Sequence, residues 1–222
     1  RDQPRSRGLG DVYKRQTLSG GEFLKLISSE DTVWVLQNNA PKTETVISYA
    51  KKALSNLANS LKDTKLFSNI AGYIRPFFTL DSCSGYKLTM RGTLDGNVIV
   101  SSDFMFVTCN YAKEGAQYGL NITMLFDMET FTIYELNIDT TYLTDSVTGS
   151  EISIPYEQEL YGRTEYSDSY RQELYDALIK YWGVSSDSIT VKASSESFSI
   201  NICPQPFLEY SKINNEQFDY YG

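Results

Sequence analysis

The chain has 222 residues, carries 28 Asp and Glu against 20 Lys and Arg for a net charge of −8, and contains no histidine. That balance excludes a phosphate-backbone binder, which calls for clustered Lys and Arg, and no apolar run of about eighteen residues is present to span a membrane. Without histidine there is no Ser-His-Asp or Cys-His nucleophile, no His-containing zinc site and no His general base. Carboxylate chemistry, oxygen-ligated cations, Lys or Tyr chemistry, or binding alone are what is left.

Residues 1–16 (RDQPRSRGLGDVYKRQ) begin without Met and show neither helical nor strand period. The segment resembles translated sequencing-adapter read-through, with DVYKRQ carrying the likeness. Five of the basic and two of the acidic side chains lie in it, so the other 206 residues hold 15 basic and 26 acidic groups, a net −11. The segment is expected to be non-native, and a native start with any signal or anchor is expected upstream of Thr17.

From Thr17 the elements follow in order. Residues 17–27 predict a short helix, and 32–36 (TVWVL) a strand. Asn38-Asn39-Ala40-Pro41 opens a longer helix with Pro in its first turn and Glu44 at the positive end. Its apolar stripe is Val46, Ile47, Ala50, Ala53, Leu54, Leu57, Ala58 and Leu61; Ser48, Lys51, Lys52, Ser55, Asn56 and Asn59 take the opposite, wet face. Residues 73–138 predict strand after strand. Tyr86, Leu88 and Met90 alternate with Lys87, Thr89 and Arg91; Asp95-Gly96 is a tight-turn signal; 104–111 is apolar on both faces; and Tyr118, Leu120, Ile122, Met124 and Phe126 alternate again. Asp127-Met128-Glu129-Thr130 turns the chain into 131–138. Short links between consecutive strands make an antiparallel meander. After an irregular stretch (139–166, with one short strand at 151–154), Ser169 and Gln172 give a capping-box pattern. Leu174, Ala177, Leu178, Tyr181 and Trp182 form an apolar stripe, and Gly183 closes the helix. Two short strands at 189–193 and 198–202 end the regular structure.

The expected fold is α+β: an antiparallel β-meander sheet packed with one long amphipathic helix (17–143), then a smaller α-β-β unit (144–205) able to share that sheet, then a tail (206–222).

Leu18-Ser19-Gly20-Gly21-Glu22 resembles the signature loop of ABC-type ATPases, which implies backbone contacts to a nucleotide γ-phosphate. Gln37-Asn38 stands where that family places its catalytic carboxylates, and its switch histidine is absent, so the residues themselves predict a Gly-Gly turn into a short helix. Cys83, Cys109 and Cys203 lie far apart without CxxC. They are expected as small buried hydrophobes, the other arrangement being one disulfide and a spare thiol.

Acid pairs that could hydrolyse glycosides cluster at Asp139 and Asp145, Glu157 and Glu159, and Glu165 and Asp168. Asp145, Thr148 and Glu151 could wrap a calcium ion. Tyr142, Tyr156, Tyr161 and Tyr166 could form an aromatic surface for a sugar or a protein. The expected function is a non-catalytic, extracytoplasmic binding or interaction module of a bacterial (Gram-positive, metagenomic) surface or envelope protein. Its partner is a protein or a carbohydrate, with no nucleic acid and no cofactor. The alternatives are a carboxylate-dependent carbohydrate-active enzyme and a phage or virion structural component.

Overall fold

A computed structural model describes residues 17–64, 83–111, 118–142, 167–193 and 197–202. Among these residues it contains, in chain order, α1 (Gly20–Ile27), β1 (Val33–Leu36), α2 (Thr43–Leu61), β2 (Cys83–Leu94), β3 (Asn97–Tyr111), β4 (Tyr118–Asp127), β5 (Ile133–Tyr142), α3 (Ser167–Trp182), a 3-10 turn (Ser186–Ser188), β6 (Thr190–Ala193) and β7 (Ser197–Asn201). The fold is α+β. The described strands form one sheet in the order β1-β2-β3-β4-β5-β7-β6, every neighbouring pair antiparallel. β7 pairs with β5, so the last two strands extend the sheet begun by the meander.

Local chemistry sets the elements. Ser19 caps α1 by accepting from the Glu22 amide at 3.2 Å, which satisfies one orphan N–H of the first turn. The β2–β3 link is the two-residue turn Asp95-Gly96, with φ of 50° and 80° and Leu94 paired to Asn97. Two consecutive positive φ values match the right-handed twist of the flanking strands. Gly183 ends α3 at φ 66°, donating its N–H to the Ile179 carbonyl, as an αL cap does.

Two boundaries differ from expectation. α2 starts at Thr43 after an extended Lys42, so Pro41 precedes the first turn instead of entering it. α3 starts at Ser167, before the Ser169 capping pattern, so that pattern lies inside the helix and does not mark its start.

The sheet is approached from both sides. A Cβ added at Gly85 would meet both Val46 methyls of α2 at 2.9 Å; one added at Gly92 would meet Thr32 Oγ1 at 2.6 Å and Leu26 of α1 at 3.0 Å. These glycines stand an odd number of residues apart on β2, so they face opposite sides of the strand. α2 therefore closes on one face and α1 on the other, and each approach is close enough to need glycine beneath it.

Burial along β2 changes phase accordingly, from Cys83 and Gly85 to Leu88, Met90, Gly92 and Leu94. Where both faces are covered, adjacent residues are both buried, as at Phe104-Met105 and Leu125-Phe126. On the α1 side, Phe23, Trp34, Phe104 and Tyr134 form an aromatic cluster. Phe23 stacks on Tyr134 with ring centres 3.8 Å apart, and Trp34 meets Phe104 edge-on at 5.2 Å. On the α2 side, Val46, Ala50, Ala53, Leu54, Leu57 and Leu61 are buried, six of the eight residues of the predicted stripe.

Cys83 and Cys109 are directly opposed across β2 and β3. They are joined by a disulfide with Cα atoms 4.3 Å apart, and both are buried. Burial was anticipated; the bond replaces the expected free thiols, because the hairpin register brings together two cysteines 26 residues apart.

Candidate functional site

α3 packs Leu174, Leu178 and Trp182 into the core and is hydrogen-bonded to the sheet at Ile133. Between Leu125 and Phe126 the β4–β5 register shifts, leaving Tyr134 as an extra residue on β5. Such a bulge interrupts the ladder. The Ile133 N–H donates to Tyr181 Oη at 2.8 Å, and the Ile133 carbonyl accepts from Trp182 Nε1 at 2.7 Å. Two consecutive α3 side chains thus supply the partners of one strand residue.

The N-terminus of α1 meets the same end of α3. A Cβ on Gly20 would lie 1.9 Å from the Trp182 carbonyl oxygen, whereas one on Gly21 would meet nothing within 4 Å. The LSGGE segment is therefore a helix cap and a close backbone crossing, in keeping with the turn-into-helix reading.

The turn between β4 and β5 is held from within. Asp127 is buried and accepts from the Glu129 and Thr130 amides at 2.7 and 3.0 Å. Burial pushes its pKa above the ordinary carboxylate value, the Thr130 and Glu129 amides pull it back, and nearby Asp103 adds to the rise. Phe131 follows with φ 56°, a conformation non-glycine residues seldom adopt. Its amide donates to the Asp127 carbonyl at 2.8 Å.

From outside, α2 grips this turn. Asn56 Nδ2 donates to the Thr130 and Phe131 carbonyls at 3.3 and 3.0 Å, and Tyr49 stacks on Phe131 with ring centres 5.7 Å apart. The Lys52 ammonium sits 5.6 Å from the Tyr49 ring centre and 5.4 Å from that of Phe131, within range of a cation–π attraction.

Helix and turn flank a shallow, largely open groove of about 430 Å³, lined by Lys51, Lys52, Ser55, Asn56, Asn59, Thr130 and Phe131. Five of its residues belong to the face of α2 that periodicity marks only as wet. Among the described residues no carboxylate lines it, although the chain as a whole is acidic. This groove is the candidate site.

A second polar feature lies on the sheet. Asn137 Nδ2 donates to Thr123 Oγ1 at 3.2 Å and to Glu135 Oε1 at 3.0 Å. Glu135 is paired in register with Asn201, and both are buried. The Asn201 side-chain amide has no hydrogen-bond partner among the described residues.

Of the residues singled out from sequence, Tyr142 closes β5 opposite Tyr118. Tyr156, Tyr161, Tyr166, Asp145, Thr148 and Glu151 lie outside the described residues, as do Glu157, Glu159 and Glu165. Asp139 is exposed near the end of β5; partial burial of its carboxylate still raises its pKa. Among the described residues, no three His, Cys, Asp or Glu side chains gather to hold a metal ion, and no helix is long and apolar enough to cross a membrane.

No family model, curated protein or solved structure matches this chain.

Proposed function

We propose that this chain is a non-catalytic binding module that works outside the cytoplasm as part of a bacterial surface or envelope protein. The observation that carries the reading is the Cys83–Cys109 disulfide in the core of the sheet. Such bonds form and persist in oxidising compartments and are rare where thiols are kept reduced. The groove beside α2 gives the module a recognition surface: ammonium, hydroxyl and amide groups along one wall and an aromatic ring at the other.

The acid pairs proposed from sequence lie wholly or partly outside the described residues; among the described ones a carboxylate enzyme would rest on Glu135. Its strand neighbour Asp139 is four residues away, about 13 Å at the usual rise, beyond the spacing of about 5–10 Å that hydrolytic pairs use. Asp127 is nearer in the ladder, but its Oδ1 is engaged by two turn amides. Binding is therefore preferred to catalysis.

Differential alkylation tests the compartment. Protein from intact host cells, quenched with one maleimide and relabelled with a second after denaturing reduction, is expected to carry the second label on Cys83 and Cys109. First-label modification of both after denaturation under quench would overturn the reading.

A further inference from the structure

We infer that the α2 groove binds an anionic saccharide, its acidic group held by Lys51 and Lys52 and its hydroxyls by the amide and hydroxyl groups beside them. This deepens the binding-module reading and rests on it. Three features of the groove point to the ligand. First, Lys51 and Lys52 line a groove that has no carboxylate among its described lining residues, on a chain with net charge −8. Such a local reversal of sign concentrates an anion where the rest of the surface repels it.

Second, the remaining polar lining is Ser55, Asn56, Asn59 and Thr130. Hydroxyls and carboxamides both donate and accept, as sugar hydroxyls do, whereas acidic peptide motifs are met by clusters of Arg, of which none is among the described lining residues. Phe131 adds an apolar wall suited to the C–H face of a pyranose ring.

Third, the site is preorganised. Asn56 ties helix to turn through two carbonyls, Asp127 ties the turn to itself, and the Lys52 ammonium lies over the stacked Tyr49 and Phe131 rings. Little ordering is left for the ligand to impose, which is where weak sugar contacts ordinarily lose affinity.

The test is titration calorimetry of the intact chain with four probes: trigalacturonate for a carboxylate source, a sulfated galactose trisaccharide for a sulfate source, neutral galactotriose, and a short poly-glutamate peptide. Saturable binding of trigalacturonate, of the sulfated sugar or of both is expected, with galactotriose and poly-glutamate at least tenfold weaker. Lys51→Gln and Lys52→Gln are each expected to weaken the bound sugar about tenfold, and Lys51→Arg to retain it. Both lysines lie on the outer face of α2, and unchanged far-UV circular dichroism verifies the fold. Poly-glutamate binding as tight as the sugars, no binding of either acidic sugar at millimolar concentration, or Lys→Gln variants that bind as wild type would each overturn the proposal. Cysteine labelling is unaffected by any of these outcomes, so a failure here is distinguishable from a failure of the compartment reading.

Discussion

Tyr181→Phe removes one oxygen from a side chain whose ring stays in place, and that oxygen is the partner of the Ile133 N–H. The Asp127 N–H donates to the Thr132 carbonyl, so the next residue, Ile133, turns its N–H away from β4, which offers no substitute acceptor. A buried donor left without a partner costs about 1–3 kcal/mol, and in a domain of this size each kcal/mol lowers Tm by about 2–4 °C. A fall of between about 2 and 12 °C follows, together with a lower urea midpoint at unchanged m-value. Amide exchange gives a local reading: the Ile133 N–H is expected to lose protection relative to its strand neighbours. Trp182→Phe removes the indole donor to the Ile133 carbonyl along with ring volume, and is expected to cost more, roughly 2–4 kcal/mol. A Tyr181→Phe protein with wild-type urea midpoint and wild-type Ile133 exchange would refute the clamp between α3 and the bulge.

Gly20→Ala drives a Cβ into the Trp182 carbonyl and is expected to lower thermal stability by more than about 2 kcal/mol. Gly21→Ala meets open space and is expected to raise it by about 0.5–1 kcal/mol through helix propensity; calorimetric unfolding of the pair checks both. Replacing Cys83 and Cys109 together by Ala opens a loop of 26 residues and is expected to cost about 3 kcal/mol in urea melts.

For Asp127, burial raises the folded pKa above the unfolded one. Its contribution is thus most favourable below the unfolded value, near about 4, and is lost as pH rises through the folded pKa. Asp127→Asn keeps an acceptor for the turn amides without the charge. Measured by urea unfolding, its stability relative to wild type is expected to improve from about pH 4 towards about pH 7. Asp127→Ala is expected to lose about 1–3 kcal/mol near neutral pH.

The elements legible from sequence are those whose signals are local. The stripe of α2, the Asp95-Gly96 turn and the alternation of Ile122, Met124 and Phe126 each follow from a period or a turn dipeptide, and all three stand in the structure. The groove was not legible. Asn56 reaches carbonyls 74 and 75 residues away, and helical periodicity reports only that its face is wet. A run of Lys and Asn with no acid between Ser48 and Asn59, in so acidic a chain, was the available signal. The cysteine pairing likewise depends on hairpin register, which no spacing motif encodes. The α3 clamp depends on a bulge whose extra residue, Tyr134, interrupts an otherwise regular strand pattern and carries no Gly or Pro to mark it.

The central claim, a recognition groove between α2 and the β4–β5 turn, is tested most directly by ¹⁵N-edited NMR of the whole chain titrated with trigalacturonate. Saturable shifts confined to the amides of residues 51–59 and 129–132, abolished in Lys51→Gln/Lys52→Gln, are the expected result. Saturable shifts centred elsewhere on the sheet, or a spectrum indifferent to the sugar, would contradict it.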